Sequence, residues 1–276
     1  MRKAQSLLLA GVTAACMAFQ LSQANATVVS GSSSAYGESV SLTITPTIPP
    51  GTSVGVTSGP TPTASGTAPG VYSSADSVLS ATLLNLITTG IINASASSNI
   101  DGSAGAKYAT SSASVDQLGI SILNALGIGA TVIEADATAS GDYGALSGVG
   151  TTTIAGLSLN SIPILNLTIP PDYTLLNLLG VTVTLNEQTA SGDGTSSAGI
   201  GVNAIHIAFD DVPYLGIIPN IPGIAGLING DIIISHAQAA IFASPTPTNG
   251  VPEPGTLALL GSGLVGAFGL RKRRTA

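Results

Sequence analysis

Residues 199 to 209 read GIGVNAIHIAF, and the spacing of these side chains decides the fold class. Character alternates with a period of two, as in a strand that shows different faces to core and solvent. The alternation predicts Asn203, Ile205, Ile207 and Phe209 on one face, with Val202, Ala204, His206 and Ala208 on the other. Downstream, Asp231 to Phe242 reads as a second, apolar strand. Between them Pro213, Pro219 and Pro222 predict a loop over Pro213 to Gly230.

Upstream there is an internal repeat. Residues 130–142, ATVIEADATASGD, align without gaps on residues 181–193, VTVTLNEQTASGD, at an offset of 51. Two readings stay open: two similar strands ending in Ser-Gly-Asp turns, or a duplicated β-unit. Residues 154 to 169 also alternate, with Pro163 marking an edge or break. Lys107 to Leu118 alternates more weakly. Ala35 to Ile44 reads as the first strand, after a polar leader over Thr27 to Ser34. Tyr72 to Ile100 reads as two strands split at Gly90, and the Pro- and Gly-rich Pro46 to Gly70 as a long exposed loop. The sum is a mainly β, antiparallel, sandwich-like single domain over residues 27–244, with a β-solenoid as the alternative.

Composition narrows the partners. Between residues 27 and 250 there is one lysine, Lys107, no arginine and 13 acidic residues, a formal charge of −12. A nucleic-acid ligand needs basic side chains to displace its counterions, so that class is excluded. The only cysteine, Cys16, falls in the N-terminal segment, so the domain holds together without disulfides.

Both ends carry export chemistry. Arg2 and Lys3 precede an apolar run from Leu7 to Phe19, and Ala24-Asn25-Ala26 supplies a small-x-small cleavage site, so residues 1–26 read as a signal peptide with a helical apolar part. After a Pro/Thr spacer at 245–250, residues 251–276 run in three parts. Val251-Pro252-Glu253-Pro254 keeps the backbone extended. Gly255 to Leu270 is an uncharged stretch that can enter a bilayer as a transmembrane helix, although its 16 residues fall short of the roughly 20 that spanning usually takes. Arg271-Lys272-Arg273-Arg274 resists translocation and holds the tail on the cytoplasmic side.

This order resembles the PEP-CTERM sorting signal of Gram-negative bacteria, which is recognised by the membrane protease-transpeptidase exosortase. The resemblance implies export through the translocon, cleavage by signal peptidase, transient insertion in the inner membrane, processing near Pro252-Glu253-Pro254, and a final place at the cell surface or outside the cell. A second resemblance covers residues 35–242. Tyr36-Gly37, Val183-Thr-Leu-Asn-Glu-Gln188, Val202-Asn-Ala-Ile-His206 and Asp231-Ile-Ile-Ile-Ser-His-Ala237 follow one another as in choice-of-anchor P proteins. That family implies architecture and location, not an activity.

No set of residues converges on catalysis. Gly51-Thr-Ser-Val-Gly55 fits the letters of a nucleophile elbow but follows two prolines and precedes a loop, and Gly261 to Gly266 fits G-x-G-x-x-G only inside the apolar tail. His206 and His236, with Asp210, Asp211 and Asp231, are candidate metal ligands if their strands are neighbours; otherwise each ring is a core residue. Glu134 and Glu187 hold near-matching places in the two repeat copies and are a candidate acid/base pair for a glycosidic bond. Acidic loops at Asp193 and at Asp210-Asp211 could give oxygen ligands to calcium. The expectation is a non-enzyme without cofactor, structural or adhesive and linked to exopolysaccharide. A small-ligand, carbohydrate or metal-binding module and a secreted hydrolase are the alternatives.

Overall fold

The computed structural model describes residues 27–47, 51–83, 86–122, 126–164, 169–215 and 225–245. The expected signal peptide with Ala24 and Ala26, most of the spacer, and the tail with Val251, Pro252, Glu253, Pro254, Arg271, Lys272, Arg273 and Arg274 lie outside the described residues. Among the described residues, no helix is long and apolar enough to cross a membrane.

The chain forms strands β1 (Thr27–Pro46), β2 (Val54–Ala68), β3 (Tyr72–Val78), β4 (Ala81–Leu83), β5 (Ile87–Thr89), β6 (Ile92–Ser98) and β7 (Lys107–Ile122). It continues with β8 (Leu126–Asp142), β9 (Ala145–Ala155), β10 (Ser158–Leu159), β11 (Ile162–Pro163), β12 (Tyr173–Leu178), β13 (Val181–Gly192), β14 (Ser197–Leu215) and β15 (Ala225–Ser244). One sheet has the order β12-β13-β14-β15-β1-β2. The other runs β11-β10-β8-β7-β5-β4, with β9 beside β8, β6 beside β7 and β3 beside β6. Every pair is antiparallel, and neither sheet closes on itself among the described residues. The first strand lies against the last, Thr27 opposite Ser244. A linear stack of repeats, the solenoid alternative, has no such contact.

A row of unusual residues crosses each sheet. In the first sheet, Tyr36 pairs with His236 and Glu38 with Ile234, leaving Gly37 opposite Ser235 without a change of register. The same skip falls at Ala204 on β14 and Asn186 on β13. Ser235 (φ 57°) and Asn186 (φ 54°) are left-handed there. The result is that two consecutive residues point inward on each strand: Gly37 and Glu38, Leu185 and Asn186, Ala204 and Ile205, Ile234 and Ser235. Ordinary strands alternate, so the inward set changes parity at this row. The second sheet has the complementary row, Gly90, Gln117, Thr131 and Gly156, where consecutive residues point outward instead. Gln117 (φ 51°) and Gly156 (φ 63°) take the left-handed conformation.

These two creases divide the core by side-chain size. On one side the inward positions are mostly alanine: Ala94, Ala96, Ala135, Ala137, Ala139, Ala237 and Ala239 are all buried. On the other they are large: Leu42, Ile44, Ile120, Leu185, Ile205, Ile207 and Ile232. Small side chains let the sheets approach until a serine bridges them. Ser111 Oγ donates to Gln238 O at 2.9 Å and Ser235 Oγ to Ala113 O at 2.7 Å, each bond crossing from one sheet to the other. Dispersion between close-packed backbones takes the place of bulky side chains here.

Several expectations change. The supposed leader Thr27–Ser34 is the start of β1, because Val28 and Ser33 face the core. The supposed loop contains β2, an edge strand, where Pro60 and Pro62 have no second neighbour needing their missing N–H. Tyr72 to Ile100 holds four described strands, with a break at Gly90 as expected and another between Val78 and Ala81. The paired strands β14 and β15 reach Leu215 and Ala225, so the Pro213–Gly230 loop is shorter than expected. Residues 154–163 form the end of β9 and two short strands, turned by left-handed Asn160 (φ 48°) and Ser161 (φ 64°). The repeat copies lie in different sheets. Their turns nevertheless meet: Gly144 N–H donates to Thr195 O and Leu146 N–H to Gly194 O, both at 2.9 Å.

At the crease Glu38 is fully buried, and neither carboxyl oxygen has a hydrogen-bond partner among the described residues. Burial raises its pKa from 4.5 to about 7. The folded state therefore keeps a proton that the unfolded chain gives up, so stability is full below pH 4.5 and is lost as pH rises towards 7. Glu38→Gln should remove that loss and stabilise the domain by about 3 kcal/mol above pH 7 while changing little at pH 4. Urea melts of both proteins at the two pH values check this; equal gains at both would contradict the buried-acid account.

Candidate functional site

The parity change creates the candidate site. In an uninterrupted strand Asn203 and His206 would face opposite sides, because they differ by three positions. Ala204 and Ile205 both turn inward, so Asn203 and His206 emerge together on the outer face. The expected split of this strand is corrected accordingly: Ile205, Ile207 and Phe209 are buried with Val202 and Ala204, while Asn203 and His206 sit outside. The same event on β13 and β15 brings Glu187 and His236 out on that face.

These side chains form one hydrogen-bonded chain over three strands, β13, β14 and β15. His206 Nε2 lies 2.9 Å from Asp231 Oδ1 and its Nδ1 lies 3.0 Å from Glu187 Oε2. Glu187 Oε2 also accepts from Asn203 Nδ2 at 2.7 Å. The Asn203 amide thus presents its oxygen to the other side, where it accepts from His236 Nδ1 at 2.6 Å. His236 stacks on Tyr36, ring centroids 4.5 Å apart and planes 20° apart.

The two imidazoles are tuned in opposite directions. Burial opposes charge on His206, but its hydrogen bonds to Asp231 and Glu187, with the fields of both carboxylates, outweigh that and raise its pKa. His236 is desolvated without a carboxylate in contact, and burial lowers its pKa to about 4, the more distant Glu187 offsetting this in part. The two carboxylate contacts favour the imidazolium form of His206, while the Asn203 oxygen selects the Nδ1–H form of His236. When both ring N–H groups of His206 donate, no lone pair is left for a metal.

The expected metal ligands are therefore only partly assembled. His206 meets Asp231 through Nε2 and Glu187 through Nδ1, so both ring nitrogens that a metal would need are engaged. His236 is joined to them by way of Asn203 and Glu187. Asp210 and Asp211 lie beyond, at a register shift of β14 between Phe209 and Val212. No group of three or more His, Cys, Asp or Glu among the described residues could hold a metal ion.

The other candidates are placed as follows. Glu134 faces out from β8 and Glu187 from β13, in different sheets, so they do not converge on one bond. Asp193 accepts N–H groups from Thr195, Ser196 and Ser197 and the Ser196 hydroxyl, which holds its pKa well below the usual carboxylate range. Its oxygens close a hairpin, leaving little for calcium. Ser53, in the G-x-S-x-G stretch, approaches Thr45 Oγ1 at 3.5 Å and precedes a strand, not the helix that an elbow requires. Gly261 to Gly266 lie outside the described residues. The sequence reading placed Tyr36 and Asn203 only in short family motifs, not in a site; the polar Asn203 among aliphatic neighbours was the available signal.

Comparison with known proteins adds one finding. Residues 250–274 match the PEP-CTERM protein-sorting motif. No curated protein and no solved structure matches the chain. The motif supports an exported protein sorted by exosortase, with a C-terminal tail anchored in the membrane before processing.

The histidine clamp gives a pH signature. The folded pKa of His206 is raised, so its contribution is complete below about 6.5 and fades as pH climbs through the folded value. His206→Gln should lower the melting temperature more at pH 5.5 than at pH 9. Thermal melts of both proteins across that range test it, and a constant difference would show that the ring acts by packing alone.

Proposed function

We propose that the chain is an exported cell-surface or extracellular-matrix protein, structural or adhesive in role and acting alongside exopolysaccharide, and not an enzyme. The observation that carries this reading is the sorting motif joined to a domain whose outer face is a grid of short polar side chains. On the second sheet, Ser77, Asn93, Ser114, Glu134 and Thr153 align across five strands. Ser95, Ser112, Asp136 and Thr151 form the next row. Neighbouring strands lie about 4.8 Å apart, so such rows offer regularly spaced hydroxyls to a polyhydroxylated polymer. Ion pairing with an acidic glycan is disfavoured by the formal charge of −12, which supports a neutral or amine-bearing one. The resemblance to choice-of-anchor P proteins agrees with a domain that is displayed through an exchangeable tail.

The sorting step is testable through the basic cluster. Replacing Arg271, Lys272, Arg273 and Arg274 with Ser should remove the stop to translocation, abolish C-terminal processing and lower the surface yield severalfold. Intact mass and cell fractionation in the native host provide the readout. An unchanged mass and an unchanged surface yield would refute this use of the tail. Matrix cohesion in a strain lacking the protein tests the structural role separately: release of soluble sugar by the purified protein would instead favour a hydrolase.

A further inference from the structure

On the large-residue side of the crease, the sheets part around a cavity of about 680 Å³. Its walls are apolar: Ile122 and Leu126 come from the second sheet with Leu159, and Leu176, Val181 and Val212 from the first. The volume lies within the roughly 300–1,000 Å³ typical of small-molecule sites.

The rim is built differently from the walls. Where β14 gains one residue against β15, Asp210 and Asp211 come to the mouth, as bulges commonly re-aim side chains. Asp211, left-handed at φ 50°, is tied down: its N–H donates to Asn229 Oδ1 at 2.9 Å and its Oδ1 accepts from Asn229 Nδ2 at 3.0 Å. The exposed Asp210 carboxylate has no hydrogen bond among the described residues; only its backbone is held, N–H to Gly180 O at 2.8 Å. Beside it the β12–β13 turn presents Leu178 and Leu179, 58% and 79% exposed. Leu179 is also left-handed, φ 52°, which costs a branched side chain about 1–2 kcal/mol.

Two costs thus meet at one mouth, exposed leucines and a strained leucine backbone, beside an exposed carboxylate that no group among the described residues pairs with. One kind of occupant covers the leucines and complements the carboxylate. We propose that this cavity is a binding site for a small cationic amphiphile, with its hydrocarbon chain between the sheets and its positively charged head at Asp210. Anionic amphiphiles such as fatty acids are disfavoured by Asp210 and by the domain's negative charge. The site is separate from the His206 chain and from the hydroxyl rows, and it does not depend on the role proposed above.

The test uses protein purified from its own host and isothermal titration calorimetry below the micelle concentration, with dodecyltrimethylammonium and dodecanoate as probes. Saturable one-to-one binding of the cation is expected, with dodecanoate at least about tenfold weaker. Asp210→Asn, a surface change, should narrow that preference to about threefold or less. Val181→Trp, which fills the cavity, should abolish binding while the protein still melts cooperatively. If Val181→Trp does not fold, Leu176→Phe at a half-buried wall position gives the same reading. The proposal is overturned by no saturable binding, by dodecanoate binding as tightly as the cation, or by a folded cavity-filled variant that binds like wild type.

Discussion

The structure depends on one backbone constraint, the row Gly37, Ser235, Ala204 and Asn186 where the inward side of four strands changes parity. Left-handed backbone is costly for residues other than glycine, and asparagine tolerates it because its side chain bonds locally. Asn186 does so, donating to Ile169 O at 3.2 Å and accepting from Gln188 at 2.8 Å. Ser235 instead anchors to the opposite sheet through Ala113 O. Gly37 has no alternative, since a Cβ there would run into Ile92 at 1.9 Å. Of the buried polar residues, Asn186 and Ser235 belong to this row and Glu38 adjoins it.

Two consequences follow from the same row. It separates an alanine-lined half, where serines reach from sheet to sheet, from a half packed with isoleucine and leucine, where a cavity remains. It also places Glu187, Asn203, His206 and His236 on a common outer surface. The abundance of Gly, Ala and Ser in the sequence is therefore partly an interior feature. With no cysteine in the domain, packing and hydrogen bonds hold it together without a disulfide.

Much of the β character was legible. Period-two alternation located the strands around residues 107–118 and 199–209, and the internal repeat pointed to those around 130–142 and 181–193; its Ser-Gly-Asp tripeptides fall at strand ends, Asp142 closing β8 and Gly192 closing β13, with the turns just after them. Gly141 and Gly192 both have positive φ, and a Cβ on either would meet a backbone carbonyl within about 2.5 Å. What failed did so for identifiable reasons. Proline masked β2 because sequence does not show that a strand will lie at an edge. Small residues masked the start of β1 because Gly31 and Ser33 were not read as core. The candidate site was hidden by the crease: assigning His206 and Asn203 to opposite faces is correct for a regular strand and wrong for this one. Glu187 was noticed for its place in the repeat, not for the histidine it holds.

The pairing of β1 with β15 has a mechanical meaning. The chain leaves the domain at Ser244, the end of a strand hydrogen-bonded on one side to β1 and on the other to β14 along most of its length. Tension entering at Ser244 and opposed at the far end of the sheet runs parallel to β15. It loads both ladders in shear, so many hydrogen bonds must yield together instead of opening one after another. A strand in the middle of a sheet, gripped from both sides, is a strong point from which to hang a domain.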